Sequence, residues 1–176
     1  MRKILLVSAI IFVAVFFGVQ FFQIEKTSFR INSFEDCINA GNLVMESYPR
    51  QCRDRGGNLH VEYIGNELEK VNLVRIHNPR PNQEIESPLV IQGEARGSWF
   101  FEASFPIVLT DEKGRSIVEY YATAVENWMT EDFVLFEAIL TFPPQDAESR
   151  GMLILKKDNP SGLPENDDEV LIPIIF

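Results

Sequence analysis

The sequence predicts a mainly β fold: a seven-stranded Greek-key sandwich, preceded by a small disulfide-stapled α+β module and an N-terminal transmembrane helix. Three observations predict it. Apolar residues alternate with period two in run after run beyond residue 70. Clusters of turn-forming residues separate those runs. The first 24 residues are almost wholly apolar.

Residues 4–22 form the apolar stretch, preceded by Arg2 and Lys3. As a helix they would reach roughly 28 Å, close to the thickness of a bilayer core. The two basic residues are expected to stay cytoplasmic and send the body outward. An uncleaved anchor is expected over a cleaved signal peptide, because Phe16-Phe17-Gly18 and Phe21-Phe22-Gln23 make poor cleavage sites. No cysteine follows the run, which argues against lipoprotein processing. The expected location is therefore a bacterial cell membrane, single-pass, with the body extracytoplasmic.

The rest divides into a stalk (25–32), a cysteine-containing module (33–64), a polar joint (65–70) and a β domain (71–176), after an anchor at 1–24. Ser33 is placed to cap a helix, with Asp36 three residues on in the capping-box position. Gly41 would end that helix. Cys37 and Cys52 are the only cysteines and lie beyond the anchor, where an oxidising compartment permits a disulfide. Closing that loop would contribute about 3 kcal/mol in the chain-entropy model. About 30 residues cannot build a sufficient core alone, so a staple is expected.

In the β domain, odd positions of 101–109 are Phe101, Ala103, Phe105, Ile107 and Leu109. Even positions of 134–142 and of 170–176 are likewise apolar. A strand puts such residues on one face; a helix would scatter them. Turn signals at Asn78-Pro79-Arg80-Pro81, Asp111-Glu112-Lys113-Gly114, Pro143-Pro144 and Asn159-Pro160-Ser161-Gly162 part the runs. Strands are expected near 71–76, 87–93, 100–110, 115–125, 133–142, 151–157 and 169–175.

Several motifs occur in a fixed order. They are Asn78-Pro79-Arg80-Pro81, Ser87-Pro88-Leu89, Gly93-Glu94-Ala95-Arg96-Gly97 and the run from Trp99 to Pro106. Trp128-Met129-Thr130, Phe136-Glu137-Ala138 and Lys157-Asp158-Asn159-Pro160-Ser161-Gly162 follow. Over about 72–176 this resembles the immunoglobulin-like domain of bacterial spore germination and sporulation proteins, the "Gmad" type. The resemblance implies an extracytoplasmic immunoglobulin-like sandwich with a binding role at the cell surface and no catalytic residues.

Alternating strands would gather three loops at one pole of such a sandwich. Those loops hold Arg96, Trp99, Trp128, Met129, Asp158 and Asn159, the candidate binding residues. Tryptophan supplies large rigid contact area, which suits a binding surface, although it equally suits a core plug. The joint at 65–70 would hold the cysteine module beside this pole. Oxygen donors crowd 158–168, but without the spacing of a calcium loop. No metal and no cofactor is expected.

The net charge is −10. Without Arg2 and Lys3 the chain carries 14 basic and 26 acidic residues. Such a body repels nucleic acid. The only histidines, His60 and His77, sit beside no nucleophile motif, and no phosphate loop or hydrolase elbow occurs. Glu94 and Glu102 are expected on solvated strand faces, outside any catalytic pair. The expectation is a non-catalytic binding or scaffolding protein that engages an envelope protein. A cell-wall glycan is the alternative partner. A second alternative is a protease inhibitor presenting Tyr48-Pro49-Arg50 on the disulfide loop.

Overall fold

The computed structural model describes residues 30–176. The expected membrane helix at 4–22 lies outside the described residues, and among these no helix is long and apolar enough to cross a membrane. The chain forms two compact units. One runs to Val44 and takes in Cys52–His60; the other comprises Met45–Gln51 and Val61–Phe176. The division runs through the segment read as one cysteine module.

In the first unit, α1 (Phe34–Asn39) starts with the capping box the sequence announces. The Ser33 hydroxyl accepts from the Asp36 amide at 3.0 Å, and the Asp36 carboxylate accepts from the Ser33 amide at 3.2 Å. The helix stops at Gly41, whose φ of 74° suits glycine. The Cys37–Cys52 disulfide is formed and fully buried with Phe34, and Ile31, Ile38 and Val44 pack around it. Three short strands, β1 (Val44–Met45), β2 (Gln51–Arg53) and β3 (Leu59–Val61), follow one another in a small sheet whose Met45, Gln51 and Val61 are counted with the second unit.

The second unit is an immunoglobulin-like sandwich. After a single helical turn, α2 (Glu67–Lys70), come β4 (Val74–Asn78), β5 (Gln83–Glu84), β6 (Leu89–Arg96) and β7 (Ser104–Asp111). Then follow β8 (Ser116–Ala124), β9 (Phe133–Leu140), β10 (Arg150–Lys156) and β11 (Glu169–Ile175). Their hydrogen-bonded order is β4-β6-β9-β8-β7-β10-β11-β5. The eight strands therefore form one sheet that curls over on itself. The curl happens at β8, which pairs with β7 from Ser116 to Thr123 but with β9 only through Thr123 and Ala124.

The period-two residues do face inward. Val74, Ile76, Ile91, Phe136 and Leu140 from one layer meet Phe105, Ile107, Leu109, Leu153 and Ile172 from the other, all essentially without exposure. Phe105 stacks edge-to-face on both Phe100 and Phe136, with centroids 5.2 and 4.9 Å away. Each such pair adds about 0.5–1.5 kcal/mol beyond area burial.

Two expectations need correction. The strand expected over 100–110 begins only at Ser104. Glu102 and Ala103 have φ of 50° and 64°, and Phe101 and Ser104 exchange backbone hydrogen bonds around them. That is the geometry of a tight hairpin turn, so the apolar alternation through 101 and 103 is accidental. There is also an eighth strand. β5 has two residues and pairs parallel to the end of β11. It is too short to show any periodicity.

The joint at 65–70 is docked against β11. The Asn66 carboxamide donates to the Glu169 carbonyl at 3.0 Å, and Lys70 pairs with Asp168 at 2.6 Å. Gly65 passes so close that a Cβ there would lie 1.7 Å from the Leu171 carbonyl oxygen, which excludes any side chain.

Candidate functional site

The three loops expected to meet do meet. Gly97 lies against the β8–β9 connection: its amide donates to Asp132 at 3.2 Å. A Cβ on Gly97 would come within 1.9 Å of the Thr130 oxygen and 2.4 Å of the Trp128 oxygen. The Asp158 amide donates to the Trp99 carbonyl at 3.1 Å, which ties in the β10–β11 connection. β4 starts at the same pole. Arg96 reaches its approach, donating to the Asn72 and Glu131 carbonyls at 3.1 Å each, and stacks over Phe133 at 4.1 Å.

The six candidate residues divide by exposure. Trp99 is 1% exposed, so it plugs the core and offers no contact surface; its Nε1 is buried without a hydrogen-bond partner. Trp128 is half-buried against the same core. Met129 is 73% exposed. Arg96 is spent on carbonyls and a ring. Asp158 and Asn159 are half-buried, and the Asn159 amide holds the loop together through Leu163 at 2.8 Å and Asp167 at 2.7 Å. A pair of exposed tryptophans does not exist, because the short 3-10 turn at Gly97–Trp99 folds the indole inward.

Beside these loops lies a polar cleft of about 590 Å³, lined by Lys70, Lys156, Lys157, Glu69, Asp167 and Asp168 among others. Lys70 is paired with Asp168. The ammonium groups of Lys156 and Lys157 have no partner among the described residues. Sequence reasoning passed over them, although adjacent lysines ending a strand in so acidic a chain are a visible signal. The oxygen-rich loop below is occupied with itself: Asn166 donates to Ser161 at 3.0 Å, and Ser161 donates to Asn159 at 2.5 Å. Among the described residues no group of three His, Cys, Asp or Glu is arranged to hold a metal ion.

A second polar cluster lies beyond the far end of β4. Arg80 donates to Glu67 at 2.7 Å and to the Tyr48 hydroxyl at 2.6 Å, and Tyr48 also donates to Glu67. Arg50 grips Glu62 in a fork at 2.8 and 2.6 Å, and Asn82 donates to Glu62 at 3.1 Å and to the Tyr63 carbonyl at 2.9 Å. Burial, followed by the Glu67 carboxylate, pushes the Tyr48 phenol up; the Arg50 fork holds the Glu62 carboxyl below its usual range. Tyr48, Arg50, Glu62 and Tyr63 thus bond at the β4–β5 connection. The expectation that the cysteine module shares its surface with the tryptophan loops fails for these residues. In the Tyr48-Pro49-Arg50 loop, the Tyr48 hydroxyl is bonded to Glu67 and Arg80 and the Arg50 guanidinium to Glu62.

The possible chemical pairs are engaged separately. Glu94 is paired with Arg75 at 2.8 Å, while Glu102 sits in the hairpin turn. His60 contacts Asp54 at 3.2 Å in the first unit, and His77 lies exposed on β4.

The sequence profile of Gmad2, the immunoglobulin-like domain of bacterial spore germination, matches residues 73–162. No curated protein and no solved structure matches the chain. The matched span holds Arg96, Trp99, Trp128, Met129, Asp158 and Asn159, and it leaves Cys37, Tyr48 and Cys52 outside. Its strands are those of the curled sandwich from β4 to β10, and over this half of its length the chain belongs to the family of the immunoglobulin-like domain of bacterial spore germination.

Proposed function

We propose that this chain is a non-catalytic binding module of the bacterial cell envelope, anchored in the membrane through residues 4–22 and engaging an envelope protein through the loop pole of its sandwich. The observation that carries this reading is pre-organisation. Gly97, Trp128, Thr130, Trp99 and Asp158 lock three loops together through their backbones, while Met129 (73% exposed) and Leu163 (51% exposed) stand out on the same connections. A rigid surface loses little entropy on binding, and exposed apolar side chains beside unpaired lysines suit a protein partner. The buried disulfide fits an oxidising compartment. A glycan partner has less support at this pole, since Trp99 is buried and of the two tryptophans Trp128 alone keeps part of its face in view.

Photo-crosslinkers placed at Met129, Leu163 and, as a control, Lys113 test the reading in intact cells. Met129 and Leu163 are expected to yield the same protein adduct, resistant to muramidase and absent from Lys113. Equal adducts from all three positions overturn it. Muramidase-sensitive adducts from the pole assign the partner to the glycan instead.

A further inference from the structure

A sheet edge is a template for another strand, and folded proteins normally blunt it. The edges of this sandwich are blunted one by one, with a single exception. On β4, five residues long and broken by a bulge between Ile76 and Asn78, the Arg80 guanidinium covers the Ile76 carbonyl at 2.5 Å. β5 has two residues. β11, open beyond β5, is covered at Leu171 by Asn66. β9 is open on its β8 side only over its last residues and runs into Pro143-Pro144.

β8 is different. Its first seven residues, 116–122, pair with β7 on one side, with a register shift at Ile117 that leaves 118–122 in continuous register, and with no strand on the other. They include no Lys, Pro or Gly, and Ile117, Val118, Tyr120 and Tyr121 are strong strand formers. Tyr120 stands opposite Ile107 and Tyr121 opposite Pro106, so the two rings project from opposite faces; they are 52% and 57% exposed. An added strand would find an aromatic neighbour on each face.

We propose that residues 116–122 of β8 accept an extended, basic segment of a partner protein as an additional strand. Charge selects this occupant. Glu119 lies on the edge itself, Glu137 stands opposite Thr123, and Glu126 follows the strand end. Glu102 adjoins Ala103, whose carbonyl receives the Ala124 amide. None of these four carboxylates has a partner among the described residues. At the other end, Arg115 is held by Asp111 at 2.6 Å. A second copy would bring a chain of charge −10 against the same acidic border. Backbone hydrogen bonds would supply affinity, and cations on the incoming strand would supply selectivity. Glu102 and Glu126 lie on connections that also build the loop pole, whereas the edge at 116–122 does not. Exchange of the 116–122 amides therefore reports on this surface, and crosslinks from Met129 and Leu163 report on the other.

The test uses the full chain in detergent and a short capped peptide alternating lysine and valine, with a glutamate/valine peptide as control. The basic peptide is expected to slow hydrogen exchange of amides within 116–122 by about tenfold or more, where the acidic one does not. Methylating the peptide's backbone nitrogens along one edge should abolish this. Glu119→Lys should weaken binding by about tenfold while leaving the circular dichroism unchanged. The proposal is overturned if neither peptide slows exchange, or if both do so equally. It is also overturned if the same amides are already protected by concentration-dependent dimerisation of the chain.

Discussion

Asn66 pairs with Leu171 as if it were a strand residue: its amide donates to the Leu171 carbonyl at 3.4 Å, and its side-chain oxygen accepts from the Leu171 amide at 2.7 Å. One residue outside the sheet thus satisfies both polar groups of a strand that would otherwise be open. The joint before the sandwich is therefore part of its edge.

Asn66→Ala should strip that cover and leave the Leu171 amide unpaired. The expected loss is about 1–3 kcal/mol in urea unfolding, the range for abandoning a buried donor. Asn66→Asp keeps the acceptor and should lose less. Equal stability of the alanine variant and the parent would show that water replaces Asn66 at no cost.

Gly97→Ala forces a methyl group into the Thr130 and Trp128 carbonyls. Both neighbours are backbone, so relief requires the two loops to part. Destabilisation of about 2 kcal/mol or more is expected, with a shift in tryptophan fluorescence as Trp128 loses its packing. An unchanged emission spectrum would mean that the loops move apart without disturbing the indole.

Arg80→Ala removes the cation that answers Glu67, a residue only 7% exposed. The carboxylate then keeps Tyr48 alone. A loss of about 1.5–3 kcal/mol is expected, since hydrogen bonds to charged groups lie in that range. Arg80→Lys should recover only part of it, because an ammonium cannot reach Glu67, Tyr48 and the Ile76 carbonyl together.

Asp54 accepts hydrogen bonds from Asn58 and His60, which hold its carboxyl down at about 2, against an ordinary value of 3.8. Its folded pKa is the lower one, so the unfolded chain takes up the proton first. The stabilisation is complete above about 3.8 and disappears as pH falls towards 2. Carboxyl titration by nuclear magnetic resonance should place Asp54 well below its ordinary value, and Asn58→Ala should raise it. A midpoint near 3.8 in the parent would remove this contribution.

What the sequence determined by itself is the seven long strands of the sandwich and the staple, not the two-residue β5. Alternation marked β7, β9 and β11, since burial on one face of a strand must show as every second residue. Ser33 and Asp36 announced the cap of α1, and the chain's only two cysteines, lying beyond an apolar stretch, announced their bond. That three loops meet at one pole followed from long strands alternating in direction within an immunoglobulin-like sandwich. Tertiary structure decided the rest, because it depends on which surfaces other segments happen to cover. The same tryptophan chemistry serves a contact face or a core plug, and only the 3-10 turn at Gly97–Trp99 buries Trp99 and leaves Trp128 half in view. The allegiance of Tyr48 to Arg80 spans 32 residues and has no local signature. β8 carries its own clue in hindsight: Ile117-Val118 and Tyr120-Tyr121 break the alternation. At the place where the sheet curls away from β9, β8 loses a neighbour on one side, and one-sided burial no longer writes itself into the order of residues.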